Sequence, residues 1–92
     1  MITGDPAQAY GSVRVADVVR AIRELEPGFH TRDVVRARYY ALTGQTPDAD
    51  QRLVAVVMRG LGLVRHVREG EKGWRIDPAT LAERWPRLPW SE

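Results

Sequence analysis

Four positively charged residues lie close together in the second half of the chain, at Arg65, Arg68, Lys72 and Arg75. An arginine guanidinium donates two parallel hydrogen bonds, which suits phosphate oxygens and the edge of guanine. A cluster of this kind is typical of a surface that clamps phosphates, and each engaged phosphate steepens the salt dependence of binding. The alternative is that these residues form an ordinary solvated face, because two glutamates in the same segment partly balance the positive charge. The helix that precedes this segment independently supports the phosphate-binding interpretation.

A helix is predicted to begin at Thr46, just before this cluster. Thr46 is a good N-cap, Pro47 suits the first helical position, and Asp48 interacts favourably with the positive end of the helix dipole. Asp48 and Asp50 also place two carboxylates at this end, which weakens its attraction for phosphate. Thr46 and Arg32, each near the N-terminus of a predicted helix, are further candidate contacts for a phosphate backbone.

The outward face of this third helix carries side chains that can recognise base edges. A helical wheel places Asp48, Gln51, Arg52, Ala55, Met58 and Arg59 on that side. Gln51 is suited to bidentate contact with adenine, whereas Arg52 or Arg59 can contact guanine or phosphate. Ala55 is small enough to allow a close approach. The pattern therefore predicts a base-reading face on the third helix.

The composition excludes several other classes of protein. The chain has 92 residues, which fits one domain, and it contains no cysteine, so disulfides and thiolate metal sites are ruled out. His30 and His66 lack partners at metal-ligand spacing, and no hydrolase, dinucleotide or phosphate-loop motif occurs. We therefore expect no enzyme, cofactor, bound metal or small-molecule substrate. No apolar run approaches the ~20 residues of a membrane span, so no membrane association and a cytoplasmic location are expected.

The charge is modest overall but unevenly distributed. The formal net charge is +2, while the stretch from Arg14 to Arg75 contains twelve basic and eight acidic residues. Thirteen of the fourteen basic residues are arginine. A GC-rich genome would also favour arginine over lysine, so composition alone does not distinguish a nucleic-acid-binding protein from an ordinary soluble domain.

Two further helices are predicted before the third. Residues 1–11 are expected to form a flexible leader. Helix one begins at or shortly after Ser12 and buries an apolar stripe of Val15, Val18, Val19, Ile22 and Leu25. Phe29 and His30 form a short extended connector, and Thr31 caps helix two, which runs to about Leu42 and is closed by Gly44. Helix two is expected to bury Val34, Val35, Ala41 and Leu42, together with one of Tyr39 and Tyr40.

The third helix and the following hairpin complete the predicted core. The inward stripe of helix three is predicted as Leu53, Val56, Val57, Gly60 and Leu61, with Gly62 ending the helix. Residues 63–68 form a strand, residues 69–73 a turn, and residues 74–76 the returning strand. Trp74 is expected to cover the hydrophobic core. Asp77 and Pro78 begin a short last helix that runs to Arg84.

The order helix, extended connector, helix, turn, helix and two-stranded hairpin resembles a winged helix-turn-helix. The passage MRGLGLVRHV, from Met58 to Val67, is similar to the segment of that superfamily where the recognition helix ends and the wing begins. The resemblance covers about residues 12–77 and is at the superfamily level. It implies an α+β fold with a three-helix core, a C-terminal β-hairpin wing and a short C-terminal helix or tail. It also implies that helix three enters the major groove of double-stranded DNA while the wing contacts the backbone or minor groove.

Two functions remain open at this point. The first is a sequence-specific transcriptional regulator, such as a repressor or a phage-type accessory factor, that acts by occupying its DNA site. The second is a winged-helix module that binds a protein partner through the Trp85–Trp90 tail of the C-terminal segment, residues 78–92. The apolar residues Trp85, Leu88 and Trp90 of that segment either fold back onto helix one or meet a partner chain, and a homodimer is expected.

Overall fold

A computed structural model describes residues 2–45 and 51–90 of the chain, with only the backbone of Gln51. Within these residues the protein is an α+β domain with four helices and two antiparallel sheets. The helices are α1 (Val15–Arg23), α2 (Arg32–Thr43), α3 (Gln51–Gly60) and α4 (Pro78–Arg84). The strands are β1 (Ala9–Tyr10), β2 (Val13–Arg14), β3 (Gly28–Thr31), β4 (Arg65–Arg68) and β5 (Glu71–Ile76).

Helix α1 supplies the centre of the hydrophobic core. The predicted stripe of Val15, Val18, Val19, Ile22 and Leu25 is buried throughout, which confirms that prediction. Ala16 and Ala21 are buried as well, so α1 is covered on more than one side. The polar residues of this helix lie at the remaining positions. Since a helix repeats every 3.6 residues, this spacing admits one orientation toward the core.

Helix α2 has the predicted caps but a narrower buried face. The Thr31 hydroxyl accepts from the Val34 amide, and Gly44 closes the helix with a left-handed conformation. Only Val35 and Tyr39 are buried. The predicted burial of Val34, Ala41 and Leu42 is wrong: all three are exposed, Val34 to 43% and Leu42 to 40%. Val34, Ala41 and Leu42 lie on the solvent side of the helix instead.

Tyr39 is the aromatic residue that α2 buries, while Tyr40 is only partly buried against the same core. The Tyr39 hydroxyl donates to Oε1 of Gln45 at 3.2 Å. Burial, followed by the negative charge of Asp17, raises the pKa of Tyr39. The phenol therefore stays neutral and acts as a hydrogen-bond donor inside the domain.

Helix α3 is rotated relative to the prediction. Its buried residues are Val54, Val57, Met58 and, just past its end, Leu61. Val56, predicted inward, is 43% exposed, whereas Met58, predicted outward, is fully buried. Residues 53–58 are all apolar, so hydrophobic periodicity does not select one face. The long side chain of Met58 fills core space that a valine cannot reach.

The three-stranded sheet has the order β3-β5-β4 and lies beside the helices. The predicted connector at Phe29 and His30 is part of β3, which pairs with β5. Gly73 lies in the central strand, where a Cβ would overlap the carbonyl oxygen of His30, so glycine permits the close approach of β3. Trp74 is 3% exposed and covers the core as predicted.

The β4–β5 hairpin has a tighter turn than predicted. Arg68 pairs with Glu71, so the loop consists only of Glu69 and Gly70 and not of residues 69–73. Both loop residues have positive φ, 53° at Glu69 and 81° at Gly70. This is the signature of a type I′ turn, whose twist matches that of the flanking strands. The second strand therefore begins at Glu71, three residues earlier than expected.

The predicted flexible leader is wrong for residues 2–11. Ile2 is 1% exposed and lies in the core, where its side chain contacts Gly60 at the end of α3. The Val15 amide donates to the Gln8 carbonyl, and β1 pairs with β2 in a short hairpin. A single isoleucine among polar residues has no periodicity, so the sequence gives little sign that this segment packs.

The C-terminal segment folds back onto its own domain. The Asp77 carboxylate accepts from the Thr80 hydroxyl at 2.7 Å and from its amide at 3.4 Å, which caps α4 as predicted. The Trp85 indole then donates to the Leu61 carbonyl at 3.2 Å, and Leu88 is 3% exposed in the core. None of the described helices is long and apolar enough to cross a membrane.

Trp85, Leu88 and Trp90, which are predicted as a partner interface, all pack within the chain. Leu88 is buried within the chain, and both tryptophans are partly buried against the core. The Trp90 indole donates to the Trp85 carbonyl at 3.0 Å, and Arg23 donates to the carbonyl of Pro89 at 3.0 Å. Of the two arrangements left open for this segment, the structure has the intramolecular one.

Candidate nucleic-acid interface

The exposed face of α3 carries Arg52, Ala55, Val56 and Arg59. These residues are spaced at i, i+3, i+4 and i+7, so they line one side of the helix. Arg52, Val56 and Arg59 are exposed and Ala55 is partly buried. The buried stripe has the same spacing but is displaced along the chain by two residues. Two residues are about half a helical turn, so the exposed face lies opposite the buried stripe. Two arginines thus flank an apolar centre.

Several predicted contacts at the start of this helix lie outside the described residues. They are Thr46, Asp48, Asp50 and the side chain of Gln51. The predicted contacts at Arg52, Ala55 and Arg59 are described, and they lie on the exposed side of α3. Met58 does not belong to this face, since it is buried.

An open cleft of about 490 Å³ separates α3 from β4. Arg59 lines it from the helix and Arg65 from the strand, with Ala55, Val64 and Trp74 among the residues between them. Two residues predicted from different elements are thereby brought to one site. Val64 is 70% exposed, so the cleft has an apolar rim as well as two guanidinium groups.

The four hairpin cations do not share one face of the sheet. Arg65 lies opposite Trp74, and Lys72 lies opposite Val67 on the same face. Trp74 is buried toward the helices, so this is the inner face. Arg68 and Arg75 alternate with these positions and therefore lie on the outer face. The predicted four-residue clamp is thus divided in two.

Arg32 approaches the tip of the hairpin. A second cleft of about 280 Å³ is lined by Thr31, Arg32, Asp33, Gly70, Glu71 and Lys72. The N-terminus of α2 and the hairpin turn therefore meet on one side of the molecule. Arg32 and Lys72 are both exposed there, and Asp33 and Glu71 reduce the local positive charge.

Three basic residues of α1 and α2 have a carboxylate within ion-pair distance, whereas within the described part of the chain the basic residues of α3 and the hairpin do not. On α1 and α2, Arg20 lies 4.0 Å from Asp17, Arg36 lies 2.9 Å from Asp33, and Arg38 lies 3.9 Å from Glu24. By contrast, residues 51–76 contain six cations that are all exposed, at Arg52, Arg59, Arg65, Arg68, Lys72 and Arg75. Among the described residues, none of these six has an ion-pair partner within 4.0 Å.

The charge of this part of the chain is also predominantly positive. Residues 51–76 contain six basic and two acidic residues, although the whole chain carries a net charge of only +2. A guanidinium without a carboxylate partner attracts an external anion more strongly, because no internal pair has to be broken. The surface formed by α3 and the β4–β5 hairpin is therefore suited to an anionic partner.

Two surface residues are not predicted from the sequence. Periodicity places Val56 in the core, and an apolar residue between two arginines gives no sign of exposure. Phe29 is predicted in a connector, yet it lies on the outer face of β3 opposite Arg75. Its position depends on pairing between β3 and β5, strands more than forty residues apart in the chain, which no local pattern reveals.

The histidines are separated and have different surroundings. The His30 ring contacts the carbonyl oxygen of Glu26 through Nε2, while His66 lies on the exposed β4 strand. In the part of the chain that the structure describes, no group of three or more histidine, cysteine or acidic residues is arranged to hold a metal ion.

Comparison of the chain with protein-family models, with curated proteins and with solved structures found no match.

Proposed function

We propose that this chain is a winged helix-turn-helix domain that binds double-stranded DNA. In this proposal α3 lies in the major groove, and the β4–β5 hairpin is the wing that contacts the adjacent backbone. The observation that carries the proposal is the contrast in ion pairing. The cations of α3 and the hairpin have no ion-pair partner within 4.0 Å among the described residues, whereas Arg20, Arg36 and Arg38 of α1 and α2 do.

The exposed stripe of α3 suits the chemistry of the major groove, which is about 12 Å wide and admits an α-helix. Arg52 and Arg59 provide planar donors for guanine edges or for phosphate oxygens. Val56 lies between them and is suited to the methyl group of thymine. Ala55 keeps this part of the helix thin, so that the backbone can approach the base edges.

The inner face of the hairpin extends the proposed contact. Arg65 shares a cleft with Arg59, so the two guanidinium groups can bind neighbouring phosphates on one strand. Lys72 and Arg32 lie near the hairpin tip and are suited to backbone phosphates further along the duplex. Such a domain would act as a sequence-specific regulator by occupying its site, without a cofactor.

The proposal is tested by comparing two charge-matched double variants in an anisotropy titration with duplex DNA chosen by selection from a random pool. Arg52→Ala with Arg59→Ala removes two cations from α3. Arg20→Ala with Arg38→Ala removes two ion-paired cations from α1 and α2. We expect the first variant to lose at least about tenfold in affinity, as for arginines that contact bases or phosphates, and the second to bind as the native protein does.

The salt dependence provides a second measurement. About 4–6 phosphate contacts per subunit should make log affinity fall steeply with log salt, and removal of each phosphate-binding cation should lower the slope by about 1. Equal losses in the two double variants, or a flat salt response of the native protein, would contradict the proposal. In that case the fold would serve a protein partner, and the unpaired cations would be an ordinary solvated surface.

A further inference from the structure

The outer face of the three-stranded sheet carries a second group of residues suited to an anionic ligand. Phe29 on β3, Arg75 on β5, and His66 and Arg68 on β4 line a shallow cleft of about 440 Å³, with Val67 at its side. Arg75 lies directly opposite Phe29 in the β3–β5 ladder. Trp74 and Ile76 alternate with Arg75 and are buried toward the helices, so this cleft lies on the opposite side of the sheet.

Phe29 is not used by the hydrophobic core. It is the only phenylalanine in the chain, it is partly exposed, and it belongs neither to the core nor to the partly buried residues that pack against the core. All three tryptophans, by comparison, pack in or against the core. The partly exposed ring of Phe29 therefore lines the same cleft as Arg75 without being used by the core.

The charges around the ring are unbalanced. No carboxylate lines this cleft, and neither Arg68 nor Arg75 has an ion-pair partner among the residues described. Glu71 lies opposite Arg68 in the β4–β5 ladder, but the two are not within ion-pair distance, and Glu71 lines the cleft at the hairpin tip instead. The surface thus combines one aromatic ring, one imidazole and two guanidinium groups, of which that of Arg75 also interacts electrostatically with the nearby Asp77 carboxylate.

We propose that this outer sheet face binds a single-stranded nucleic acid, with one base stacked on Phe29 and the adjoining phosphates held by Arg75 and Arg68. Stacking on an aromatic ring requires a base that is not enclosed in a duplex, because paired bases expose only their edges. A polyanion without bases would gain nothing from the ring. The site is separate from the proposed duplex contact, since Arg65 and α3 lie on the other side of the sheet.

The proposal is tested with fluorescently labelled octathymidylate DNA and octauridylate RNA in anisotropy titrations of the full chain. Phe29→Leu keeps apolar bulk but removes the ring, whereas Phe29→Tyr keeps the ring. Arg68→Ala with Arg75→Ala removes the two cations, and Arg20→Ala with Arg38→Ala is the charge-matched control. Thermal unfolding of each variant shows that the domain is intact before binding is measured.

We expect Phe29→Leu to weaken binding of at least one strand by about fivefold or more, the effect of losing one base stacked on an aromatic side chain. Phe29→Tyr and the charge-matched control should bind as the native protein does, while Arg68→Ala with Arg75→Ala should weaken binding and reduce its salt dependence. Arg52→Ala with Arg59→Ala should leave this affinity unchanged, whatever its effect on duplex binding.

Three results would overturn the inference. One is native affinity for both strands in a folded Phe29→Leu variant. Another is competition by polyglutamate as effective as that by an unlabelled oligonucleotide of equal charge, which would indicate a general anion surface or an acidic peptide site. The third is loss of single-strand binding in the α3 double variant, which would place both ligands at one site. Failure of duplex binding alone does not bear on this site.

Discussion

Arg65 lies directly opposite Trp74 in the β4–β5 ladder, whereas Arg68, on the same strand, lies opposite Glu71. The two arginines differ by an odd number of residues, so they point to opposite faces of the sheet. Arg65 faces the cleft beside α3, and Arg68 faces the cleft that contains Phe29. A hairpin whose cations form one cluster in the sequence therefore presents two separate charged surfaces.

This separation predicts different effects for two chemically identical substitutions. Arg65→Ala should weaken binding of duplex DNA by about fivefold or more, because it removes a cation from the surface shared with α3. Arg68→Ala should leave duplex affinity nearly unchanged and weaken single-strand binding instead. Anisotropy titrations with both ligands measure the two effects. Equal effects on the duplex would show that the two faces do not act separately.

Glu69 occupies a left-handed backbone conformation that favours asparagine or glycine. Its φ of 53° is the only positive φ at a non-glycine residue among those described. Glu69→Asn should stabilise the domain by about 0.5–1 kcal/mol, since asparagine adopts this conformation more readily in a type I′ turn. Thermal or chemical unfolding measures the change. Glu69→Gln removes the same charge without relieving the backbone, so an equal gain there would contradict this explanation.

The rotation of α3 predicts contrasting results at two neighbouring positions. Met58→Ala should cost about 2–5 kcal/mol of unfolding free energy, because it leaves a cavity in the core. Val56→Ala should change stability by no more than about 0.5 kcal/mol, since Val56 lies on the surface. It should nevertheless weaken binding of a duplex whose site contains thymine at the contacted position. A large loss of stability at Val56 would restore the helical orientation predicted from sequence.

The cap of α4 predicts a stability contribution that depends on pH. Hydrogen bonds from Thr80 lower the pKa of Asp77 below its ordinary value. A lowered pKa in the folded state means that the contribution is fully present above the ordinary pKa of about 4 and is lost as the pH falls through the folded value. Asp77→Asn keeps a capping acceptor but does not titrate.

Relative to Asp77→Asn, the native protein should therefore lose stability as the solution is acidified from about pH 5 through the ordinary pKa range of aspartate. Denaturant unfolding at a series of pH values measures this difference, and the other carboxylates cancel in the comparison. A difference that stays constant down to pH values well below the ordinary aspartate range would show that Asp77 makes no such contribution.

Local patterns predicted the elements whose polar and apolar residues are cleanly separated. The stripe of α1 was identified completely, because charged residues occupy most of the positions around it. The caps at Thr31 and Asp77 were identified as well, since their side chains hydrogen-bond only a few residues away. Local chemistry is sufficient in such cases.

The orientation of α3 and the exposure of Phe29 differ from the prediction because both depend on contacts between residues far apart in the chain. The continuous apolar run of α3 fits more than one orientation of the helix. Which orientation forms depends on contacts with distant residues, such as Ile2 against Gly60, and the sequence of α3 does not reveal these contacts. The exposure of Phe29 depends on the pairing of β3 with β5. The clustering of Arg65, Arg68, Lys72 and Arg75 could therefore be predicted from the sequence, but the division of these cations between the two faces of the sheet, and the place of Phe29 beside two of them, depend on the three-dimensional register.

The contacts around the end of α3 have a consequence for synthesis of the chain. Ile2 lies against Gly60, the Trp85 indole bonds to the carbonyl of Leu61, and Leu88 fills the core nearby. These partners are far apart in sequence, so the chain entropy lost in joining them slows folding. On the ribosome, α1 and α2 are complete well before Leu88 is added. The surface that carries Arg52 and Arg59 thus acquires its full support only when synthesis has passed residue 88, and a chain that stalls earlier lacks that support.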